Sequence, residues 1–392
     1  MTNRYCIIFM TAFALAALIS IPAGNVMLGF ATAAFLLYAY KSRNELQIID
    51  KTYYMAIAVF MGTMLLSALA SGDIWHGLKR WSDFWLWRLM PFFIITFAIK
   101  DFIAARRILT ISIIGISLSS LFAIYQGLDG NTRANGFFGH PMVLAGYLCL
   151  FIPIIFIFFL ERKRYDIWKW LIGLSLSVCF AALLFNGTRG AWLAIAAVVS
   201  LLLIYYLVKR KVLAAVILCL LIGVGAGLSQ YEPFMQRIET ITNNKYQSNS
   251  ERILIWQSAF HMFEDHPVLG VGLGQYKDNY QKKYISPKAK EPYLSHAHSN
   301  FMQMLAESGI IGFAGFMTLI TCFIGYSFLR FWKDKNPYAL MMSASVLALV
   351  LQGFTEYNFG NSAVMKCFWL LQGCLLVLSK TWKDNKWGNG NQ

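Results

Sequence analysis

The sequence predicts an all-α polytopic membrane protein with about twelve transmembrane helices and one large helical loop outside the membrane. Three observations carry this. Of 392 residues, 58% are hydrophobic and 14% charged, with a mean hydropathy of +0.53. Soluble domains are about 25% charged, so these charges could not cover a soluble protein of this size. Twelve apolar runs approach the roughly 20 residues that a helix needs to cross a bilayer. A single long stretch, 230–308, has soluble-protein composition. Ordinary Gly (29) and Pro (9) and only 7 Cys exclude disordered, collagenous and disulfide-framework chains.

The predicted spans are Tyr5–Ile21, Gly24–Tyr40, Thr52–Ser71, Leu86–Ile99, Ile108–Leu128, Pro141–Leu160, Trp168–Phe185, Ala191–Val208, Val212–Ser229, Gly309–Leu329, Ala339–Tyr357 and Ala363–Ser379. Arg88 and Pro91 interrupt the fourth. The first follows Arg4 and ends near small residues around Ala23, as a signal peptide would, but its apolar run is long for one. It is read as a retained helix. Three regions follow: 1–229 with nine spans, the loop 230–308, and 309–392 with three spans and a tail.

Lys and Arg orient the bundle. With the N-terminus inside, 20 of the 34 fall in cytoplasmic segments. The short outer loops hold Lys79, Arg80, Arg88, Arg133 and Arg189, while eight bases lie in the long outer loop and Lys366 in the last span. Both termini are then cytoplasmic. The net charge of +15 is a topology signal facing anionic membrane lipids. No nucleic-acid partner is expected, since that would need a clustered basic face. Every cysteine falls in a predicted span, so neither disulfides nor a cysteine metal site is expected.

Inside the loop, Ser248-Asn249-Ser250-Glu251 has the form of a capping box. A helix is expected from Glu251 to about Glu264, with Ile253, Trp256, Phe260 and Phe263 at helical spacing. Arg252 would sit in its first turn, where free N–H groups favour a phosphate; the alternative is an exposed surface arginine. Gly270-Val271-Gly272-Leu273-Gly274 lacks the spacing of a nucleotide loop and reads as a tight turn. Ser295-His296-Ala297-His298-Ser299-Asn300 opens an amphipathic segment that runs through Gly309 into the tenth span. His296 and His298, two apart, would point different ways on a helix, and no H-E-x-x-H is present. No metal or other cofactor is expected. Arg189 lies in a short turn after the seventh span, against the positive-inside bias. Arg133 and His140, in another outer loop, join His296 and Asn300 as further substrate-binding candidates.

Together these residues resemble the O-antigen ligase family. Its hallmark is His, then Asn, Ser or Gln, nine residues, Gly, two residues, then Gly, Thr or Tyr. His298-Ser299, Gly309 and Gly312 fit every position. Thr188-Arg189-Gly190 and Glu251-Arg252 look like the family's two essential arginine positions. The family's Arg-x-x-x-Leu pattern is not met: Trp256 follows Arg252 at that spacing, and Ile241 follows Arg237. Arg252 is preferred for its place near a helix start.

The resemblance implies a C-type glycosyltransferase-like fold in the bacterial inner membrane. It implies transfer of O-antigen from undecaprenyl pyrophosphate to a sugar of lipid A–core at the periplasmic face. His298 would be the general base, and Arg189 and Arg252 would bind pyrophosphate without a metal. An O-antigen polymerase is the nearest alternative, but its Arg-x₁₀-Gly motif is absent: Leu144, Ser248 and Phe263 stand at the glycine position after Arg133, Arg237 and Arg252. A protein O-oligosaccharyltransferase shares the chemistry. A twelve-helix transporter is the non-enzyme alternative, disfavoured by spans almost free of mid-depth charge.

Overall fold

A computed structural model describes residues 2–46, 48–131, 133–162, 164–230, 232–243 and 246–382, and every regular element among them is helical. The helices are α1 (Thr2–Ala16), α2 (Ile21–Lys41), α3 (Lys51–Leu69), α4 (Ile74–Trp81), α5 (Trp87–Phe93), α6 (Phe102–Leu128), α7 (Pro141–Glu161), α8 (Ile167–Asn186) and α9 (Arg189–Lys209). Next come α10 (Lys211–Leu228), α11 (Glu232–Thr242), α12 (Gln247–Asp265), α13 (Tyr276–Asn279), α14 (Asn300–Thr321), α15 (Ser327–Asp334), α16 (Pro337–Gln352) and α17 (Ser362–Lys380). Among the described residues, eight helical segments are long and apolar enough to cross a membrane, and Asn3–Ala16 and Pro337–Gln352 are shorter apolar helices.

Sequence chemistry sets many of the ends. Asp50, Asp101 and Asp166 cap α3, α6 and α8 by accepting backbone N–H bonds, and Asn361 does the same for α17. The helices α7 and α17 are largely apolar, with Lys366 and Gln372 the main exceptions in α17, and lie at the centre, with 89% of each span window buried. The perimeter is the inverse of a soluble surface: Leu36, Leu37, Met55, Ile114, Leu118, Leu174, Leu201 and Ile204 are exposed. Contiguous apolar surface on this scale is what lipid covers. All seven cysteines are free.

Several span boundaries differ from expectation; the fifth span, for one, starts at Phe102 rather than Ile108. The first helix stops at Ala16, and Ser20 caps α2 after a short turn. The fourth span is not broken at Arg88 or Pro91. It runs from α4 through α5, with widened π turns at Ser82–Leu86 and Ile94–Ala98 that keep the chain helical around the proline. Helix also precedes the tenth span: from Asn300 to Asp334 the chain is helical apart from a break at Gly309, the expected start of the span, so the motif segment and the span are two helical pieces joined at that glycine. The eleventh ends at Gln352 rather than Tyr357, which releases residues 353–361 as a loop.

The segment between α10 and α14 has a small core of its own. Ile255, Ala259, Met262, Tyr276, Tyr280, Tyr284 and Ala297 pack around Ala306 of α14. The expected glycine turn docks at the break in that helix. Gly309 takes φ 58°, ψ −161°, which only glycine adopts readily. There Ile310 N–H donates to Pro267 O at 2.8 Å, and Val271 N–H donates to Ala306 O at 2.9 Å. Ser67 Oγ, from α3, lies 3.0 Å from Leu269 O and 2.8 Å from Glu307 O, tying this junction to the bundle.

Candidate active site

At one end of the bundle, loops together with α4, α12, α13, α14 and α17 line a cavity of about 630 Å³. A second cavity of about 300 Å³ adjoins it, and both are lined by Arg133, Met142, Ser248, Arg252 and Glu356.

His298 reaches the larger cavity from the turn before α14. Ser299 caps that helix, accepting from Met302 N–H at 3.4 Å. Ala297 is pinned from both sides: its N–H donates to Gln303 Oε1 at 2.7 Å, and its carbonyl accepts from Trp256 Nε1–H at 3.1 Å. So held, His298 adopts φ +48°, a left-handed conformation that costs a non-glycine residue about 1–3 kcal/mol. The strained backbone turns the ring toward Glu356, with Nδ1 3.7 Å from Oε2. Among the described residues, neither atom has a partner within hydrogen-bond distance.

Glu356 was expected near a span end and was not a candidate. Its signal was weak: one acidic residue beside Gly353, where an apolar helix could have continued. Burial pushes its carboxyl up, but His298, His296 and Arg252 more than offset that and hold it below the usual carboxylate value.

His296 and His298 are not on a helix, so their expected divergence does not apply. Their rings meet edge to face with centroids 4.2 Å apart, and His296 Nδ1 accepts from His298 N–H at 3.2 Å. Burial, with His298 adding to it, pushes the His296 imidazole down to about 4. His296, His298 and Glu356 each bring a donor atom within 4.8 Å of the others, a set whose type could hold a divalent ion. The guanidiniums of Arg133 and Arg252 line the same cavity and oppose a cation there.

The arginines converge from four loops or helices. The helix carrying Arg252 starts at Gln247, with Tyr246 at the cap and no side-chain cap bond. The expected capping box is therefore not formed, because both of its ends have tertiary partners. Ser248 Oγ accepts from Arg189 Nη2 at 3.4 Å and from Arg252 Nη1 at 3.3 Å, bridging the two guanidiniums. Glu251 instead accepts from Lys290 N–H at 3.0 and 3.2 Å. Arg252 thus lies beyond the first turn, but its side chain runs back toward the helix start, as long side chains on helices do. Burial works against its charge and Glu356 supports it.

Arg189 is the first residue of α9, after Gly187 ends α8 with φ 64°. It donates to Asn249 Oδ1 at 3.0 Å and to Thr240 O, and its guanidinium lies 5.0 Å from the Tyr246 ring. Arg237 also enters the smaller cavity, donating from Nε to Gly187 O at 3.1 Å. The choice between Arg237 and Arg252 is therefore not exclusive in space. Arg133 lines both cavities, with a buried Nε that has no partner among the described residues.

His140 lines the larger cavity and caps α7, accepting from Met142 N–H at 3.2 Å. Asn300 lines neither cavity. It is fully buried, donating to Asn358 Oδ1 at 2.7 Å and accepting from Phe359 N–H at 3.1 Å. Its expected place against substrate is replaced by a structural one: it clamps the 353–361 loop and so sets Glu356 beside His298.

Residues 174–317 match the O-antigen ligase family model. The resemblance read from the His298 motif thus holds over this segment, which carries Arg189, Arg237, Arg252, His298, Gly309 and Gly312. Arg80, Arg133, His140 and Glu356 lie outside it. An uncharacterized protein of Haemophilus influenzae is 22% identical over 352 residues, covering 81% of this chain and 86% of its own. Two proteins provisionally named polysaccharide ligases, from Rickettsia prowazekii and Rickettsia typhi, are each 29% identical over 142 residues. Those matches cover 34% of this chain and 32% of each relative. Within the matched segment, Gly309 and Gly312 line neither cavity. A Cβ on Gly309 would come 2.5 Å from Val268 O, and one on Gly312 would come 2.2 Å from Ser308 Oγ. These motif glycines build the junction behind the histidine.

Proposed function

We propose that this protein transfers O-antigen from undecaprenyl pyrophosphate to a sugar hydroxyl of lipid A–core, at the periplasmic face of the inner membrane and with both termini cytoplasmic. One observation carries the reading: a histidine facing a carboxylate shares its cavity with an arginine cluster that continues into a second cavity. His298 accepts the proton of the attacking hydroxyl. The new bond forms to the anomeric carbon as the bond to pyrophosphate breaks, and the lipid pyrophosphate leaves. Guanidinium forks match phosphate oxygens and stay charged, so Arg189 and Arg252, aided by Arg133 and Arg237, stabilise the leaving group without a metal.

Direct displacement is favoured over a glycosyl-enzyme intermediate. Of the three buried carboxylates of the larger cavity, Glu251 and Glu307 are engaged with backbone N–H groups, Lys290 for the first and Tyr276 for the second, and Glu356 is turned toward His298. A nucleophile would need a free oxygen at the anomeric carbon.

The reading is tested with purified protein, labelled lipid-linked O-antigen and lipid A–core. Transfer is expected to persist in EDTA. Arg252→Lys keeps the charge but loses the fork and should cost about tenfold or more in kcat/KM for donor. Activity abolished by EDTA and restored by Mg²⁺ would refute the arginine scheme, and elongation on the lipid carrier alone would identify a polymerase.

Glu356 orients the His298 ring. Glu356→Gln should lower kcat more than acceptor KM. A normal kcat in this variant would remove Glu356 from the chemistry.

A further inference from the structure

The larger cavity has a second cationic end. Arg80 of α4 and Lys277 of α13 line it with Leu273, Gln303 and Glu307, none of which lines the smaller cavity. The electrostatic neighbours of Arg189 are Arg252, Arg237, Tyr246 and Arg133, and those of Arg133 are Arg237, Glu356, Arg252 and Tyr246, whereas Arg80 acts on Glu307 and Tyr357. Arg80 and Lys277 therefore form a basic group separate from the arginine cluster of the smaller cavity.

Arg80 is built into place. Gly274, at φ +78°, packs its backbone on the arginine stem, and a Cβ there would come 2.7 Å from Arg80 Cγ. The guanidinium lies 5.1 Å from the Phe84 ring, and Nε is 3.4 Å from His76 Nε2. Among the described residues, no ion pair to Arg80 or Lys277 is formed within 4.0 Å. Glu307, the carboxylate at this end, accepts from Tyr276 N–H at 3.1 Å. Arg80 also belongs to one of the outer segments expected from the sequence, where basic residues are sparse.

We propose that Arg80 and Lys277 form an acceptor subsite that takes an anionic group, phosphate or sugar carboxylate, carried by the glycolipid acceptor. This rests on the glycosyl-transfer reading above. With the donor pyrophosphate held at the arginine cluster, in-line attack brings the acceptor hydroxyl from the other side of the anomeric carbon, past His298. The acceptor then occupies the end that Arg80 and Lys277 line, and two unpaired cations there select an anion.

The test uses full-length protein in nanodiscs with two probes, phosphorylated lipid A–core and the same glycolipid after dephosphorylation and carboxyl esterification. Equilibrium binding is measured without donor, so the result does not depend on turnover. Wild type should bind the charged probe about tenfold or more tightly than the neutral one. Arg80→Gln and Lys277→Gln should each erode that preference, with Arg80→Lys retaining part of it. In transfer assays, acceptor KM should rise while donor KM stays unchanged. Equal binding of both probes by wild type would overturn the proposal, as would a rise in donor KM alone. Loss of phosphatidylglycerol binding without change for the glycolipid would mark a bulk-lipid site and also overturn it. Normal probe discrimination with no transfer to any acceptor would instead fault the enzymatic reading.

Discussion

Replacing His298 is expected to cut glycan transfer by about 10²–10⁴-fold, the usual worth of a positioned general base. Alanine alone is an ambiguous choice, because residue 298 sits at φ +48° and alanine tolerates that region poorly. Asparagine tolerates it better and cannot accept a proton at neutral pH. His298→Asn should therefore match His298→Ala in lost transfer while keeping the wild-type thermal midpoint and donor affinity. The physical basis is the pinned turn. Ser299, Gln303 and Trp256 hold the backbone, so the side chain can change while the cavity stays in place. Transfer within threefold of wild type in His298→Asn, at matched protein and pH, would mean another group takes the proton. His296 is a poor substitute, since burial already pushes it down to about 4.

Gly309→Ala should produce the largest structural effect. At φ 58°, ψ −161° the position lies where essentially only glycine is found. The dihedral alone costs about 1–3 kcal/mol for another residue. The added Cβ would also meet Val268 C and O at 2.5 Å and Leu269 N at 2.6 Å, so backbone must move. The backbone contact between 267–272 and 306–311 then opens, freeing Val271 N–H, Gly272 N–H and Ile310 N–H. Leu273 and Gly274 line the cavity, so activity falls with stability. The expected results are a lower thermal midpoint in detergent and faster proteolysis near Pro267–Gly274. A wild-type midpoint with intact loop protection would show that the motif glycine serves substrate and not the junction.

The spans were legible because lipid imposes a local demand that composition and run length record. The centrality of α7 follows from its being apolar on all faces, whereas α17 is central despite Lys366 and Gln372. The helix after residue 246 was also legible, although its start was not. Ser248 and Glu251 fit a local capping rule, but Arg189, Arg252 and the Lys290 backbone offered them stronger partners. The eleventh span was read too long for the same reason. Asn300 binds the Asn358–Phe359 segment across more than fifty residues of chain, and no local pattern carries such a contact. Arg80 did leave a trace, as one of few basic residues in short loops opposite the base-rich side. Arg133 and Arg189 shared that trace and also line the cavities.

By itself, then, the sequence determined a membrane-embedded helical bundle, its approximate spans, and the histidine, arginines and glycines of a ligase-type motif. Each of these is set by local composition or spacing. Only the tertiary structure decided that Glu356 faces His298, that one serine bridges Arg189 and Arg252, and that Arg80 closes the other end of the cavity. Those are contacts between segments far apart in the chain, and they form because buried polar groups must find partners wherever the packed helices bring them.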